Sequence, residues 1–573
     1  MKTKAYLYLA CFIVAFTNIS FAQNAVQWGF SVGSLTNTPD NSYDATTDAS
    51  GNVIISGAFA GTVDFNPGAG TNTLVSAGFQ DGYVAKYDVN GNFVWAISLG
   101  SPGNFDKVNA VATGTAGDIY VTGVKQGTMD IDPGPGSVVL GGGTDAFLVK
   151  YSASGNLLWG FTFNTNTVGS GAEVCTDNSD NVIVCGSFQG TSDFDPSASN
   201  FPLTAGATDG FVAKYSSSGN LIWAYKLGSS TGADYVWGVS TDASGNVNIA
   251  GEFTNTADLD PGVGTYSLTS PGTNFADGYV LQLNSSGAFN WAFRLGSTST
   301  TLQEACMNIT TDNANAITVT GFTQGIVDFD PGVGTATISA VGGEEGYVAH
   351  YSASGSYLWA LRLGGSGNDR AKKVDDDALG NIYVTGEFAN TMDLDPGTAT
   401  VNITSAGSTD VYVSKYSSTG NFMGGFGFGS TGADYSGGMV AGSGNSFWIS
   451  GYFQGTIDME PGPNTFSLTS NGNHDFYVVK YNSITTSISE INSDKEIKLY
   501  PNPASDKIFI SYNGSGRAES LQIHDLRGEL IYQLNYLTND KIEIPLHMQE
   551  GLYLITLFTN EGLRVQKKLC KVN

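Results

Sequence analysis

The chain has 573 residues, of which 75 are Gly, 12% are aromatic and only 13% are charged, with a formal net charge of −27. Val, Ile, Thr, Tyr and Phe gathered in short runs argue against disorder and for an all-β fold over a helical one. The acidic excess argues against nucleic acid or an anionic membrane as partner, since both would be repelled.

Met1-Lys2-Thr3-Lys4, the apolar run Ala5 to Phe16 and the small-residue end Ser20-Phe21-Ala22 have the three zones of a secretory signal. This predicts a signal peptide over 1–22, cleaved after Ala22; an uncleaved N-terminal anchor is the alternative. No later stretch reaches the ~18 apolar residues a membrane-spanning helix needs, so no transmembrane segment is expected.

From 23 to 481 the chain is a tandem array. Asp-x-Asp-Pro-Gly or a close version of it starts at Asp64, Asp130, Asp193, Asp258, Asp328, Asp393 and Asp458, at periods of 63 to 70 residues. Each copy reads as four strands, with Ser-Gly-Asn-type turns closing the first and second hairpins and two longer connections elsewhere. Repeats of this length with four strands suit propeller blades. Antiparallel order places both tight turns on one rim. It predicts the Asp-x-Asp-Pro-Gly loop and the Leu-Gly-Ser-x-Gly-x-Asp inter-repeat loop together on the other rim, where binding would reside.

The fourth strands carry Trp95, Trp159, Trp223, Trp291 and Trp359, with Gly424 in the sixth copy. These indoles are expected to pack between blades. Val26-Gln27-Trp28-Gly29-Phe30 is a fourth strand with no repeat before it, while the last repeat ends after its third strand, Asp475 to Tyr481. Joining the two halves predicts a seven-bladed β-propeller closed by an N-terminal strand, which removes exposed sheet edges.

The cysteines Cys175, Cys185, Cys306 and Cys570 are too few for a disulfide scaffold. Cys185 takes a place filled elsewhere by Ser, Thr or Ala and reads as a small packing residue, with a Cys175–Cys185 bridge as the alternative. None of the four His residues looks catalytic: His350 replaces a recurrent Lys, His474 lies in a variable loop, and His524 and His547 fall near the C-terminus. HExxH and P-loop motifs are missing. A sevenfold recurrence of the same carboxylates gives no reason for one pair to be special, so the expected catalytic residues are none and the expected class is not an enzyme.

Asp130 with Asp132, Asp193 with Asp195, Asp258 with Asp260, Asp328 with Asp330, and Asp393 with Asp395 each put two carboxylates on one face of an extended segment, where they could ligate Ca²⁺. The competing reading is an Asx-type turn, the second Asp accepting a backbone N–H across Pro-Gly. Asn66, Glu460 and Ser197 break the pattern in three copies and imply unequal cation affinity if metal binds.

Leu379-Gly380-Asn381-Ile382-Tyr383-Val384-Thr385-Gly386 and Gly117-Asp118-Ile119-Tyr120-Val121-Thr122-Gly123 resemble the core of the SBBP-type β-propeller repeats of bacterial secreted proteins. The resemblance spans roughly 28–481, and it implies architecture more than activity.

After a linker over 482–492, composition changes: Lys and Glu rise and Gly falls. Strands are expected at Lys507 to Tyr512, Glu519 to Asp525, Glu529 to Leu534, Lys541 to Ile544 and Gly551 to Thr559, giving a small Ig-like β-sandwich over 493–573. Tyr500-Pro501-Asn502-Pro503, Asp525-Leu526-Arg527-Gly528, Gly551-Leu552-Tyr553 and Lys567-Lys568 resemble the type IX secretion C-terminal sorting domain. That resemblance implies recognition by the type IX machinery, display at the outer cell surface or release, and removal of the tail, with a lipopolysaccharide anchor in exchange. A plain Ig-like adhesive domain is the alternative. The combined expectation is a secreted or surface-displayed propeller that binds an extracellular glycan or protein without catalysis. The runner-up is a glycan-active hydrolase or lyase, which would show one asymmetric cluster of acids and aromatics in the central pocket; a structural envelope component is a third reading.

Overall fold

The computed structural model describes residues 26–35, 38–163, 168–272, 274–397, 400–460, 464–482, 484, 497–512, 518–525, 530–535, 541–559 and 564–572. The expected signal peptide and most of the expected linker lie outside them. The chain forms two compact units, 1–486 and 487–573.

The first unit is all-β and consistent with a β-propeller. Its first repeat shows the plan: Asn41–Thr47, Val53–Phe59, Asp81–Tyr87 and Phe93–Leu99 lie side by side as one antiparallel sheet in chain order. The tight turns follow from local chemistry. Asp48 Oδ1 accepts the N–H groups of Ser50 and Asn52 at 2.9 and 3.1 Å, and Gly51 takes a φ of +76° that a side chain would resist. The second and third strands are buried along their whole length, as central strands covered on both faces must be. The fourth strand is covered less completely, from exposed Val94 to buried Leu99.

Six further sheets repeat this four-strand plan, two of them extended to six strands by the small hairpin of the following repeat. Each first strand packs on the first strand of the next repeat, and Tyr435–Ala441 of the last packs on Asn41–Thr47 of the first, so the contacts close a ring. In the seventh sheet the fourth strand is Val26–Val32, which pairs antiparallel with Asp475–Tyr481: Trp28 faces Lys480, Phe30 faces Val478 and Val32 faces Phe476. Phe30 and Val32 are buried there, which contributes about 1.5–3 kcal/mol each.

The indoles lock neighbouring sheets. Trp28 donates Nε1–H to Val89 O at 2.9 Å and Trp159 to Ser217 O at 3.1 Å, each on the third-to-fourth turn of the following repeat. The six-membered ring of each Trp covers the Gly of that turn: a Cβ added at Gly91 would lie 2.8 Å from Trp28, and one at Gly355 3.0 Å from Trp291. Gly424 replaces Trp in the sixth repeat because the seventh sheet has no third-to-fourth turn to cover, its fourth strand arriving from the other end of the chain. Cys175, Cys185 and Cys306 are free thiols, and Cys185 is buried in the core.

The second unit has a three-stranded sheet (Ile497–Tyr500, Lys507–Tyr512, Lys541–Pro545) and a four-stranded sheet (Leu530–Asn535, Ala518–Asp525, Gly551–Thr559, Arg564–Lys571). Ile508, Ile510 and Ile544 of the first share one core with Leu521, Ile523, Ile555 and Leu569 of the second.

Candidate functional site

The Asp-x-Asp-Pro-Gly segments form the tips of small hairpins inserted between the second and third strands. Their placement on the inter-repeat rim needs correction. Each hairpin starts there and then folds back along the sheet toward the tight turns. Tyr351, at the tight-turn end of its strand, donates its hydroxyl proton to Phe329 O at 3.1 Å, and Asp330-Pro331-Gly332 shares a cavity of ≈ 390 Å³ with Ser354-Gly355-Ser356. Tyr87, Tyr151, Tyr215, Tyr416 and Tyr481 make the same bond at 2.7–2.9 Å to the carbonyl between the two acidic positions. A buried Tyr hydroxyl needs a partner, and it finds one by pulling the hairpin down onto the sheet.

Within each tip the carboxylates build nested turns. Asp328 Oδ1 accepts from Asp330 N–H and Ala336 N–H at 3.1 and 2.8 Å, and Asp330 Oδ1 accepts from Gly332 N–H at 2.8 Å. Asp258 with Asp260 and Asp130 with Asp132 do the same. So do Asp393 with Asp395 and, with Ser197 N–H as the last donor, Asp193 with Asp195. At Gly334 an added Cβ would lie 2.0 Å from Asp330 Oδ2, and at Gly264 2.1 Å from Asp260 Oδ2. The ten candidate Ca²⁺ ligands therefore stay in five separate pairs. Among the described residues no three His, Cys, Asp or Glu side chains gather as a metal site.

The ring axis holds a cluster that is not repeated. A β-bulge interrupts every first strand, and at that register stand Asp44, Ala110, Glu173, Gly238, Asn308, Lys373 and, with its neighbour Met439, Gly438. Lys373 Nζ bridges Asp44 Oδ1 at 2.9 Å and Glu173 Oε2 at 2.7 Å, while Asn308 donates to Glu173 at 3.3 Å. Burial pushes the Glu173 carboxyl up against the opposing pull of Lys373. Burial works to lower Lys373, but Asp44 and Glu173 together raise it, so it stays charged. These residues line a cavity of ≈ 300 Å³ whose walls carry acids and aliphatic side chains but no aromatic ring.

Aromatic rings lie instead at the channel mouth on the inter-repeat rim. A residue at or near the start of each first strand, the one that lines the axis, faces a residue of the second strand, as in Tyr235 with Glu252, Ala305 with Phe322, Arg370 with Glu387 and Tyr435 with Tyr452. Between them stand bulged residues such as Tyr43, Trp237 and Lys372. Contacts join them into an arc. Lys107 lies 5.7 Å over Tyr43, Tyr43 meets Tyr452 edge-on at 6.4 Å, and Tyr435 stacks on Tyr452 at 4.7 Å. Lys372 pairs with Glu387 at 2.8 Å, Arg370 covers Phe322 at 4.9 Å, and Trp237, 37% exposed, stacks on Tyr235 at 5.0 Å. Burial raises the Glu252 carboxyl, with Gln303, Trp237 and Arg370 pulling the other way. The second and third repeats offer mainly small residues at these registers, among them Val124, Ser170, Ala172 and Ser187.

Motif counting passed over the axis and the mouth because it rewards positions where the copies agree. The usable signal was the opposite one: three registers per repeat where seven aligned copies disagree in size, charge and aromaticity.

Residues 498–572 match the family model described as a secretion system C-terminal sorting domain. That domain indicates export to the cell surface or release, and implies interaction with the type IX secretion machinery. Over 479 residues the chain is 23% identical to an uncharacterized WD repeat-containing protein of Acanthamoeba polyphaga mimivirus, which hints at a propeller; the match covers 70% of this chain but only 34% of that protein, so the chain spans about a third of its relative's length. Among solved structures, a member of the DUF4221 family from Bacteroides vulgatus is 10% identical with a TM-score of 0.28, covering 63% of this chain and 92% of that one. Dimeric latent PorU from Porphyromonas gingivalis is 12% identical with a TM-score of 0.12, covering 59% of this chain and 32% of that one. Likenesses this weak carry no argument. No helix among the described residues is long and apolar enough to cross a membrane.

Proposed function

We propose that this chain is a secreted, seven-bladed propeller of the SBBP repeat type that binds an extracellular glycan or protein at its channel mouth without catalysis. The Ig-like tail then serves as its type IX address, and the signal peptide as its route to the periplasm. One observation carries the binding assignment: the arc from Lys107 through Tyr43, Tyr452, Glu387 and Arg370 to Trp237 is built at registers where the scaffold makes no demand, so its aromatic and charged composition needs another explanation. Rings with polar tips on a rigid rim are suited to recognition. The hydrolase reading rests on Asp44 and Glu173 in the deeper cavity. It is the weaker one because both carboxylates are held by the single Lys373, leaving neither as a free acid or nucleophile.

The test is a glycan array and cell-envelope pulldown with the whole protein, repeated with Trp237→Ala combined with Tyr452→Ala. We expect capture by the parent, loss of at least about tenfold in affinity in the variant, and no cleavage of the captured material. Unchanged capture by the variant would move the site elsewhere, and product release abolished by Glu173→Gln would establish the enzyme.

A further inference from the structure

The inter-repeat rim conceals a second repeated feature, one built between sheets rather than within them. At six of the seven junctions, the acid that opens a third strand meets the acid that precedes the next repeat's first strand; all twelve side chains are 2% exposed or less. The fit is close. The first acid fills the space of a missing Cβ: at Gly429, directly after a fourth strand, an added Cβ would lie 2.2 Å from Asp410 Cγ, and at Gly33 it would lie 2.2 Å from Asp475 Oδ1. The second acid staples two repeats: Asp434 Oδ2 accepts Ser430 N–H at 2.5 Å and its Oδ1 accepts Gln454 N–H at 3.0 Å. Asp40 likewise accepts Ser34 N–H at 2.6 Å and Ala60 N–H at 2.7 Å. At two junctions a single absent Cβ would touch both acids: at Gly228 Asp209 Oδ1 at 2.6 Å and Asp234 Oδ2 at 2.7 Å, and at Gly364 Glu345 Oε1 at 2.4 Å and Asp369 Oδ2 at 2.8 Å.

Two carboxyl groups this close in a dry site cannot both ionise without a counter-charge. Some pairs have one: Lys226 sits 2.8 Å from Asp209 and Arg362 sits 2.8 Å from Glu345, and Arg294 pairs with Asp277. Lys125 contributes at longer range to Asp106. The two pairs that flank the seventh sheet, Asp410 with Asp434 and Asp475 with Asp40, have no Lys or Arg ion pair among the described residues. What faces them is His474 beside Asp434, held neutral-leaning by its own burial, the Tyr435 and Tyr477 hydroxyls near Asp434, and Tyr83 near Asp40. The N–H groups of Ala406 and Gly407 approach Asp410, and those of Asn471 and Gly472 approach Asp475. In both Asp410 and Asp475, Oδ1 is buried and accepts no hydrogen bond of normal geometry.

We propose that each of these two pairs takes up one proton, and that releasing it loosens the ring on both sides of the sheet assembled from the two ends of the array. Burial pushes Asp40 and Asp410 up to about 6, their partner acids adding to the rise, and burial also raises Asp434 and Asp475. Folded values above the unfolded ones mean the stabilisation is fully present below about pH 4 and is lost as pH rises through about 6. The junctions of the composite sheet are therefore tighter in mildly acidic surroundings than at neutrality.

Asp410→Asn with Asp475→Asn tests this in the full chain, because an amide keeps the oxygen that accepts Ala406 N–H or Asn471 N–H and places a permanent donor where Oδ1 stands. At about pH 7.5 we expect the variant to melt about 2 °C or more above the parent, and at about pH 5 to match it within about 1 °C. Parallel pH profiles, or a variant less stable at both pH values, would overturn the proposal. So would a rise in the parent's Tm with Ca²⁺ at about pH 7.5 that the variant lacks, since a metal rather than a proton would then hold the pairs. If the double variant does not fold, infrared spectra of the parent and of the single variant Asp410→Asn decide: part of the protonated-carboxyl C=O band present at about pH 5.5 and faded by about pH 8 must be missing in the variant, and identical bands reject the bound proton.

Discussion

The tight-turn end of the first unit and its channel mouth are built from the same repeats, yet they obey opposite rules. At the tight-turn end the copies agree. Trp28, Trp95, Trp159 and Trp359 each donate to a carbonyl of the next repeat's turn, and recurrent lysines pair with the acid that opens the first turn, as Lys86 with Asp48 at 2.9 Å and Lys214 with Asp177 at 2.8 Å. At the mouth one register reads Asn41, Lys107, Ser170, Tyr235, Ala305, Arg370 and Tyr435. The cause is geometric. A contact between neighbouring repeats recurs at every junction and demands the same residue each time. Near the axis, side chains from all repeats converge, and seven copies of one large or charged residue would collide or repel. Agreement marks scaffold, and divergence marks positions that the scaffold leaves free.

The largest expected effect breaks the scaffold side at its seam. Deleting Val26 to Val32 removes a whole strand from the seventh sheet and leaves Asp475–Tyr481 as an unpaired edge. We expect a fall in Tm of about 10 °C or more, with oligomers appearing in light scattering. A monomer that melts like the parent would show that the ring does not need this strand.

A smaller effect sharpens the comparison at a single glycine. Gly91 and Gly444 both adopt positive φ, but only Gly91 lies against an indole, and an added Cβ at Gly444 meets nothing within 4 Å. Gly91→Ala should cost about 1–2 kcal/mol more than Gly444→Ala in denaturant titrations, because it adds a clash with Trp28 to the shared backbone strain. Equal costs would mean that the indole lid yields freely.

The smallest effect concerns the hairpin tips, which repeat like scaffold although they carry the chemistry of a cation site. Replacing Asp328 and Asp330 together by Asn should cost about 1–2 kcal/mol through weakened turn hydrogen bonds. Ca²⁺, Mg²⁺ and NaCl at matched ionic strength should move the Tm alike in parent and variant. A rise specific to Ca²⁺ and lost in the variant would establish the metal reading of these tips.

Much of the architecture was legible in the chain itself. Period, turn chemistry and the orphan strand at Trp28 identify the four-stranded unit, its hairpins and the pairing of 26–32 with 475–481, because each depends on residues a few positions apart or on a repeat left incomplete. The change of composition near 491 and the motifs from Tyr500 onward likewise locate the sorting module. Three features were decided only by tertiary structure. The hairpins turn back toward the tight turns because Tyr hydroxyls some twenty residues away need their carbonyls, and no local pattern gives a loop its direction. Lys373 finds Asp44 and Glu173 only because the ring brings the first, third and sixth repeats to one axis. The carboxyl pairs arise because the end of one repeat closes on the start of the next, so that an acid spaced for its own turn is buried against a neighbour's. Local sequence specifies strands and turns through short-range sterics and hydrogen bonding, whereas which charges end up sharing a dry space depends on ring closure.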